Sequence, residues 1–293
     1  MRHGGAAGPA QARFRESPPF RRWTCRIALD AGSRHFVNKS LRKTPMSKSI
    51  RRGSTLIPLA TVLALAAGCS DRGPAARYYY PVDDLAEGRV YAYEPAPDGD
   101  PALFPGYYWY YRAVETPDSL VLAATYYDAG GEPLQFVGER IVSAGALLRD
   151  LRLVRPTDSA SVVTEAAVLE PAVFSFLAPD PARVLVSAVR FRQNDSSAVY
   201  TVTRNRRYAR DTTVVVEGAP RDAQVWAVRE LVEQASAGTL ALESRGIEVY
   251  AEGVGLAYRR RVHSDGTVEA HVLARRFGMD ELAARFGAPP ASN

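Results

Sequence analysis

The sequence is poor in the residues that carry most acid–base, metal and thiol chemistry. Its 293 residues include only 4 His, 2 Cys, 3 Met and 3 Trp, and no Lys occurs after residue 68. A helix needs roughly 20 apolar residues to cross a bilayer, whereas the apolar stretch 54–68 has 15 and contains Pro58. These shortages argue against a zinc or iron centre and against a permanent transmembrane helix.

The net charge changes sign along the chain. Residues 1–68 contain 13 Lys and Arg against 2 Asp and Glu, a net of +11, whereas residues 69–293 contain 24 Arg against 30 Asp and Glu, a net of −6. The positive sign of the overall charge of +5 therefore comes from residues 1–68. Because an acidic body lacks the clustered cations that displace counterions from phosphates, we expect no nucleic-acid partner.

An export signal precedes Cys69. Cations at Lys48, Arg51 and Arg52 come before the apolar stretch, and small residues come directly before the cysteine. This order is typical of a signal peptide, so we expect residues 46–68 to be removed by cleavage after Gly68. Residues 1–45 contain no apolar run of useful length. They are interpreted as the product of a misassigned start codon, with Met46 as the true start, or as a disordered extension.

The stretch Leu65-Ala66-Ala67-Gly68-Cys69 resembles the lipobox of bacterial lipoproteins, although that family prefers Leu at the position of Ala66. The resemblance covers about residues 46–70 and implies that the Cys69 thiol receives a diacylglycerol and the new amino terminus an acyl chain. Ser70 replaces the Asp that retains well-studied lipoproteins at the inner membrane, so the resemblance implies the outer membrane. The alternative is a cysteine buried in a core helix.

The rest of the chain predicts a mainly β fold. About a dozen short runs rich in Val, Tyr, Phe and Thr show the alternation of half-buried strands, separated by turn signals. Connections of two to five residues join antiparallel strands, so we predict an antiparallel meander that forms a curved sheet, a sandwich or a partly open barrel. Short helical pieces are expected at Pro81–Glu87 and Met279–Phe286.

We expect a tether at 69–80, a single β-rich domain over 81–288 and a tail at 289–293. Within the domain, Tyr250–Tyr258 looks like the Tyr-x-x-Gly-x-Gly-Leu signature of β-rich envelope proteins of unknown function, some of which are similar to the curved sheet of lipoprotein carriers. The resemblance covers about nine residues and implies no chemistry.

The two histidines of the mature chain do not suggest a catalytic pair. If Asp265-Gly266 forms a two-residue hairpin turn, His263 faces Val268 and Arg260 faces His271. Neighbouring residues alternate between the faces of a sheet, so the histidines would project from opposite faces and could share neither a metal nor a relay. With no zinc-ligand spacing in the sequence, we expect two surface histidines, no metal and no cofactor.

Other candidate functional residues are defined by proximity alone. No G-x-S-x-G elbow occurs, so a serine nucleophile is disfavoured. Paired carboxylates could perform acid–base work, and arginine clusters could hold an anionic headgroup or a glycan phosphate, although solvated faces and structural ion pairs are the simpler interpretations. The candidates are Asp83 with Asp84, Glu230 with Glu233, Arg204–Arg207 and Arg259–Arg261.

Tyrosine is concentrated in one part of the chain. All 15 Tyr lie after residue 69, and 11 of them lie between residues 78 and 127. In a strand, Tyr107, Trp109 and Tyr111 line one face while Tyr108 and Tyr110 line the other. One set can build the core and the other could bind a sugar ring, a lipid or a protein, unless both pack within the fold.

These patterns favour a lipid-anchored envelope protein whose β domain binds an apolar ligand, a glycan or a partner protein without catalysis. The acyl chains on Cys69 would make the membrane its first partner. The alternative function is an envelope hydrolase that uses paired carboxylates.

Overall fold

The predicted strands pair in chain order and close on themselves. The computed structural model describes residues 72–156, 161–192, 198–236 and 238–287. Within these residues, each strand pairs antiparallel with the next, and the first pairs with the last to give a closed barrel. The twelve strands are β1 (Arg89–Pro95), β2 (Tyr107–Thr116), β3 (Ser119–Tyr127), β4 (Pro133–Val142), β5 (Gly145–Pro156), β6 (Ser161–Ser175), β7 (Val184–Arg192), β8 (Val199–Val216), β9 (Ala219–Ser236), β10 (Gly238–Ala251), β11 (Gly255–His263) and β12 (Val268–Phe277).

The mainly β, antiparallel prediction is confirmed, and closure removes the exposed edges that an open sheet would leave. The Arg245-Gly246 dipeptide predicts a turn between two strands, and this prediction is wrong. Arg245 and Gly246 lie in the middle of β10, where Gly246 pairs with Val228 of β9 and Arg261 of β11. A Cβ atom at residue 246 would lie 1.8 Å from the carbonyl oxygen of Arg260, so this glycine permits a close approach of strands rather than a turn.

Helical structure is confined to the two ends of the described chain. The predicted C-terminal helix is present as α1 (Met279–Phe286), which ends at Gly287 with a φ of +69°. Near the N-terminus, short 3₁₀ turns occupy Pro74–Tyr78 and Val82–Asp84. No helix in the described ranges has both the length and the apolar character required to cross a membrane.

The N-terminal segment 72–85, here called the plug, fills one end of the barrel. Tyr79 is 2% exposed and packs against Phe174 of β6, while Tyr80 packs against Tyr91 of β1 and Tyr111 of β2. The backbone N–H of Ala75 also donates to the carbonyl oxygen of Phe176 at 3.0 Å. The part of the expected tether from residue 74 to 80 is therefore folded inside the barrel, because three consecutive tyrosines find apolar surface there.

Several predicted segments lie outside the described residues. They are 1–45, 46–68 with the cleavage position Gly68, the lipidation residue Cys69, and the tail 289–293. Their assignments stay predictions.

Candidate functional site: a charged lumen and an arginine groove on the outer wall

The five aromatic residues of β2 lie on both sides of the barrel wall. Tyr107, Trp109 and Tyr111 belong to the interior cluster, and the Tyr111 hydroxyl donates to the Tyr80 hydroxyl at 2.6 Å. On the outside, Tyr108 and Tyr110 pack with the residues under α1. None of the five is exposed, so the alternation places both sets in packed surroundings. Their role in binding stays a prediction.

The predicted arrangement of the two histidines is wrong. The loop between β11 and β12 has three residues, since the backbone N–H of His263 donates to the Thr267 carbonyl and Gly266 adopts a φ of +84°. Arg259 therefore faces His271, one residue away from the predicted register. A one-residue shift moves every side chain to the other face, so both histidines share a face.

Glu269 lies between the two histidines. Its carboxylate oxygens are 3.5 Å from His263 Nε2 and 3.7 Å from His271 Nδ1, and it also pairs with the Arg259 guanidinium. His271 is buried, so the expectation of two surface histidines is wrong for this residue. Burial lowers its pKa, so this imidazole is neutral at pH 7 and donates from Nε2 to the Pro105 carbonyl oxygen at 3.1 Å. Within the described ranges, no cluster of three or more His, Cys, Asp or Glu could hold a metal ion.

The same interior face carries a network of arginine–glutamate pairs. Arg204 donates to Glu230 at 2.6 Å, and Arg261 Nη1 reaches the other Glu230 oxygen at 3.2 Å. One layer away, Arg206 Nε donates to Glu248 at 2.7 Å. These contacts follow from the register, since Arg204 pairs directly with Glu230 across β8 and β9. The arginines of the two predicted clusters that point into the barrel therefore form structural ion pairs.

The buried carboxylates of this network cannot act as proton donors near neutral pH. Burial alone would raise the pKa of Glu230, but Arg204 and Arg261 outweigh burial and lower it to about 2. At Glu248, burial likewise raises the pKa and Arg206 and Arg204 lower it. The arginines outweigh burial and hold the pKa of that carboxyl below its usual range. A general acid needs a pKa near the working pH, so neither residue fits that role.

The structure does not assemble the predicted carboxylate pairs. Glu233 lies three positions after Glu230 on the same strand, so their side chains point to opposite faces. Asp83 is exposed and accepts from Arg72 at 2.9 Å, in the plug. Glu139, a half-buried carboxyl whose pKa is raised by burial, accepts a hydrogen bond from the Tyr79 hydroxyl.

We predict that the barrel loses stability as the pH falls from about 4.5 to about 2. A glutamate titrates near about 4.3 in an unfolded chain, whereas the pKa of Glu230 is about 2 in the barrel. Between these values the unfolded chain binds more protons, so acid favours unfolding. Urea midpoints measured from pH 7 to pH 3 should fall steadily below pH 4.5, and Glu230→Gln should flatten that fall. A midpoint that stays constant down to pH 3 in the wild type would contradict the lowered pKa.

The outer wall of β7 to β10 carries an open groove of about 540 Å³. The small side chain of Ala227 and the backbone of Gly246 are part of its lining. Its remaining lining includes Arg207, Arg229 and Arg245. Strand alternation explains this set, since Arg207 points outward while its neighbour Arg206 points into the lumen.

Two of these arginines are held by one carboxylate. Arg229 and Arg245 lie directly opposite each other on β9 and β10, an arrangement in which like charges repel. Glu243, on the same strand as Arg245, offsets this repulsion by accepting from Arg229 at 2.7 Å and from Arg245 Nε. The side chains of Arg229 and Arg245 remain 53% and 74% exposed, so their guanidinium groups reach solvent.

Comparison with known proteins finds similarity in structure but none to a protein family or to a curated sequence. No protein-family model matches it, and no curated protein matches it. Two solved structures align with it, a candidate lipoprotein from Parabacteroides distasonis and a candidate exported protein with a YmcC-like fold from Bacteroides fragilis. They are 13% and 16% identical to it, each alignment covers 68% of this chain and 98% of the other, and both TM-scores are 0.45. Function cannot be transferred at this level of similarity.

Proposed function

We propose that this chain is a lipid-anchored envelope protein that acts by binding, through the outer wall of its barrel. The observation that carries the proposal is the occupied lumen. The plug fills one end with Tyr79 and Tyr80, and arginine–glutamate pairs fill the layers above. An apolar ligand would have to displace the chain's own core, so the binding surface is assigned to the outside.

The anchor is assigned from the sequence and fits the position of the plug. Cys69 precedes Arg72 by three residues, which span at most about 11 Å. Acyl chains on Cys69 would therefore hold the plugged end of the barrel close to the bilayer. Ser70 favours the outer membrane over the inner membrane, by resemblance to other lipoproteins.

The hydrolase alternative gains no support from the described part of the chain. Its candidate carboxylates are separated or ion-paired, as at Glu230 and Asp83. Glu139, whose pKa is raised by burial, accepts a hydrogen bond from Tyr79 of the plug inside the barrel, so a substrate would have to compete with Tyr79 for it.

Labelling with a radioactive or alkyne-bearing fatty acid tests the anchor. Wild type should incorporate the label and fractionate with outer membranes, whereas Cys69→Ser should lose the label and accumulate as an uncleaved precursor. Ser70→Ala is the matched control, because it changes the neighbouring residue, keeps the Cys69 thiol and should leave labelling unchanged. Equal labelling of wild type and Cys69→Ser would overturn the proposed anchor.

A further inference from the structure

We infer that the groove on the outer wall binds a small ligand that carries a phosphomonoester. The inference deepens the proposed function, because it assigns a ligand class to the binding surface placed there. The groove's volume of about 540 Å³ is within the range of small-molecule sites.

An unpaired arginine provides the first contact. Arg207 is exposed and makes no ion pair with any other described residue. Arg204 and Arg206, which precede it on the same strand and point into the lumen, are both paired. It pairs across the sheet with Ala227, two residues from Arg229 on the same face. Such diagonal neighbours are about 7 Å apart, so a phosphate between them can accept from both guanidinium groups.

The charge of the groove favours a phosphomonoester over a phosphodiester. Arg207, Arg229 and Arg245 together with Glu243 leave a net charge of +2, since the charge of Arg206, which also lines the groove, is offset by Glu248. A phosphomonoester carries about −1.5 to −2 charges at pH 7, whereas a phosphodiester or a sulfate ester carries about −1. Asn205, directly opposite Arg229, adds a neutral amide that can donate to a hydroxyl group of the same ligand.

Calorimetric titration of the full chain in a neutral detergent, at low salt, tests this assignment with glucose 6-phosphate as the probe. Arg207→Gln and Arg229→Gln should each weaken binding by about tenfold. Arg140→Gln removes the same charge from an exposed site on β4 and should change the affinity by less than about twofold. Glu243→Gln should strengthen binding severalfold, because it frees Arg229 and Arg245.

The pH and competing probes separate the ligand classes. Binding of glucose 6-phosphate should weaken as the pH falls from 7 to 5, through the second phosphate pKa near about 6, whereas glucose 6-sulfate should bind weakly throughout. Absence of glucose 6-phosphate binding, or an equal loss in Arg140→Gln, would overturn the assignment. Tight binding only to phosphatidylglycerol vesicles would overturn it in favour of a lipid headgroup. Neither result would affect fatty-acid labelling at Cys69, so the anchor and the ligand are tested separately.

Discussion

Replacing Glu248 by alanine is expected to lower the free energy of unfolding by about 3–5 kcal/mol. Glu248 is 2% exposed and accepts from Arg206 Nε at 2.7 Å and from the Tyr250 hydroxyl at 3.1 Å. Without the carboxylate, the Arg206 guanidinium stays buried and loses its ion-pair partner, so its desolvation is offset far less. Urea denaturation at pH 7 measures the loss.

Glu243→Ala is the matched control, because it removes a glutamate from the same strand, on the solvent side. That carboxylate also bridges two arginines, yet its side chain is 28% exposed and both partners reach water. The expected loss is below about 1 kcal/mol. Equal losses in the two variants would contradict the expectation that burial makes the Arg206–Glu248 ion pair more important for stability than the exposed pairs of Glu243.

Replacing Tyr79 by alanine is expected to destabilise the barrel by about 3–5 kcal/mol. The ring contacts Tyr80, Phe174 and Phe176 with centroid separations of 5.2–5.6 Å, and no neighbouring part of the chain can refill the space. Urea denaturation measures the loss, and the fluorescence of buried Trp226, which packs on Phe174, reports on the same region.

Tyr79→Phe isolates the hydroxyl from the ring. It keeps the packing but leaves Glu139 without its donor, so a smaller loss of about 1–2 kcal/mol is expected. Because burial raises the pKa of Glu139, its neutral form can accommodate the change at lower pH, and the loss should shrink as the pH falls toward 5. If Tyr79→Ala and wild type unfold at the same urea concentration, the plug does not contribute to the barrel.

Strands with clear alternation and turn residues could be predicted from the sequence. The alternating runs Ser119–Tyr127 and Gly255–His263 predict strands with the same bounds as β3 and β11, and the predicted helix Met279–Phe286 has the bounds of α1, with Gly287 after it. β6 was missed, because Ser161–Ser175 contains Ala, Glu and a proline that weaken its strand signal. Its pairing with β5 and β7 overrides those local preferences.

The register of the last hairpin could not be decided by local pattern. Asp265-Gly266 fits a two-residue loop, but the chain uses Gly266 as the third residue of a longer one. Because the loop is one residue longer than predicted, the two histidines lie on the same face of the sheet, next to Glu269, and not on opposite faces. The signal that could have revealed it is charge pairing across the strands, since Arg261 faces Glu269 in the observed register and would face Ala270 in the predicted one.

The groove was missed for a different reason. Alternation predicts that Arg207 points away from Arg204 and Arg206, but it does not state which residues of other strands lie beside it. Arg229, Arg245 and Glu243 join the site through the pairing of β8 with β9 and of β9 with β10. Such long-range pairings depend on the whole meander, which no local window of sequence contains.

Hydrogen exchange of the plug tests most directly whether the lumen is occupied by the chain itself, which is the basis for placing function on the outer wall. The backbone amides of Ala75 and Tyr79 bond to the carbonyls of Phe176 and Ala76. We predict that they exchange as slowly as the central amides of β10, with protection set by opening of the barrel. Exchange of both amides within seconds at pH 7, beside a protected β10, would show that the plug leaves an open lumen and would contradict the account.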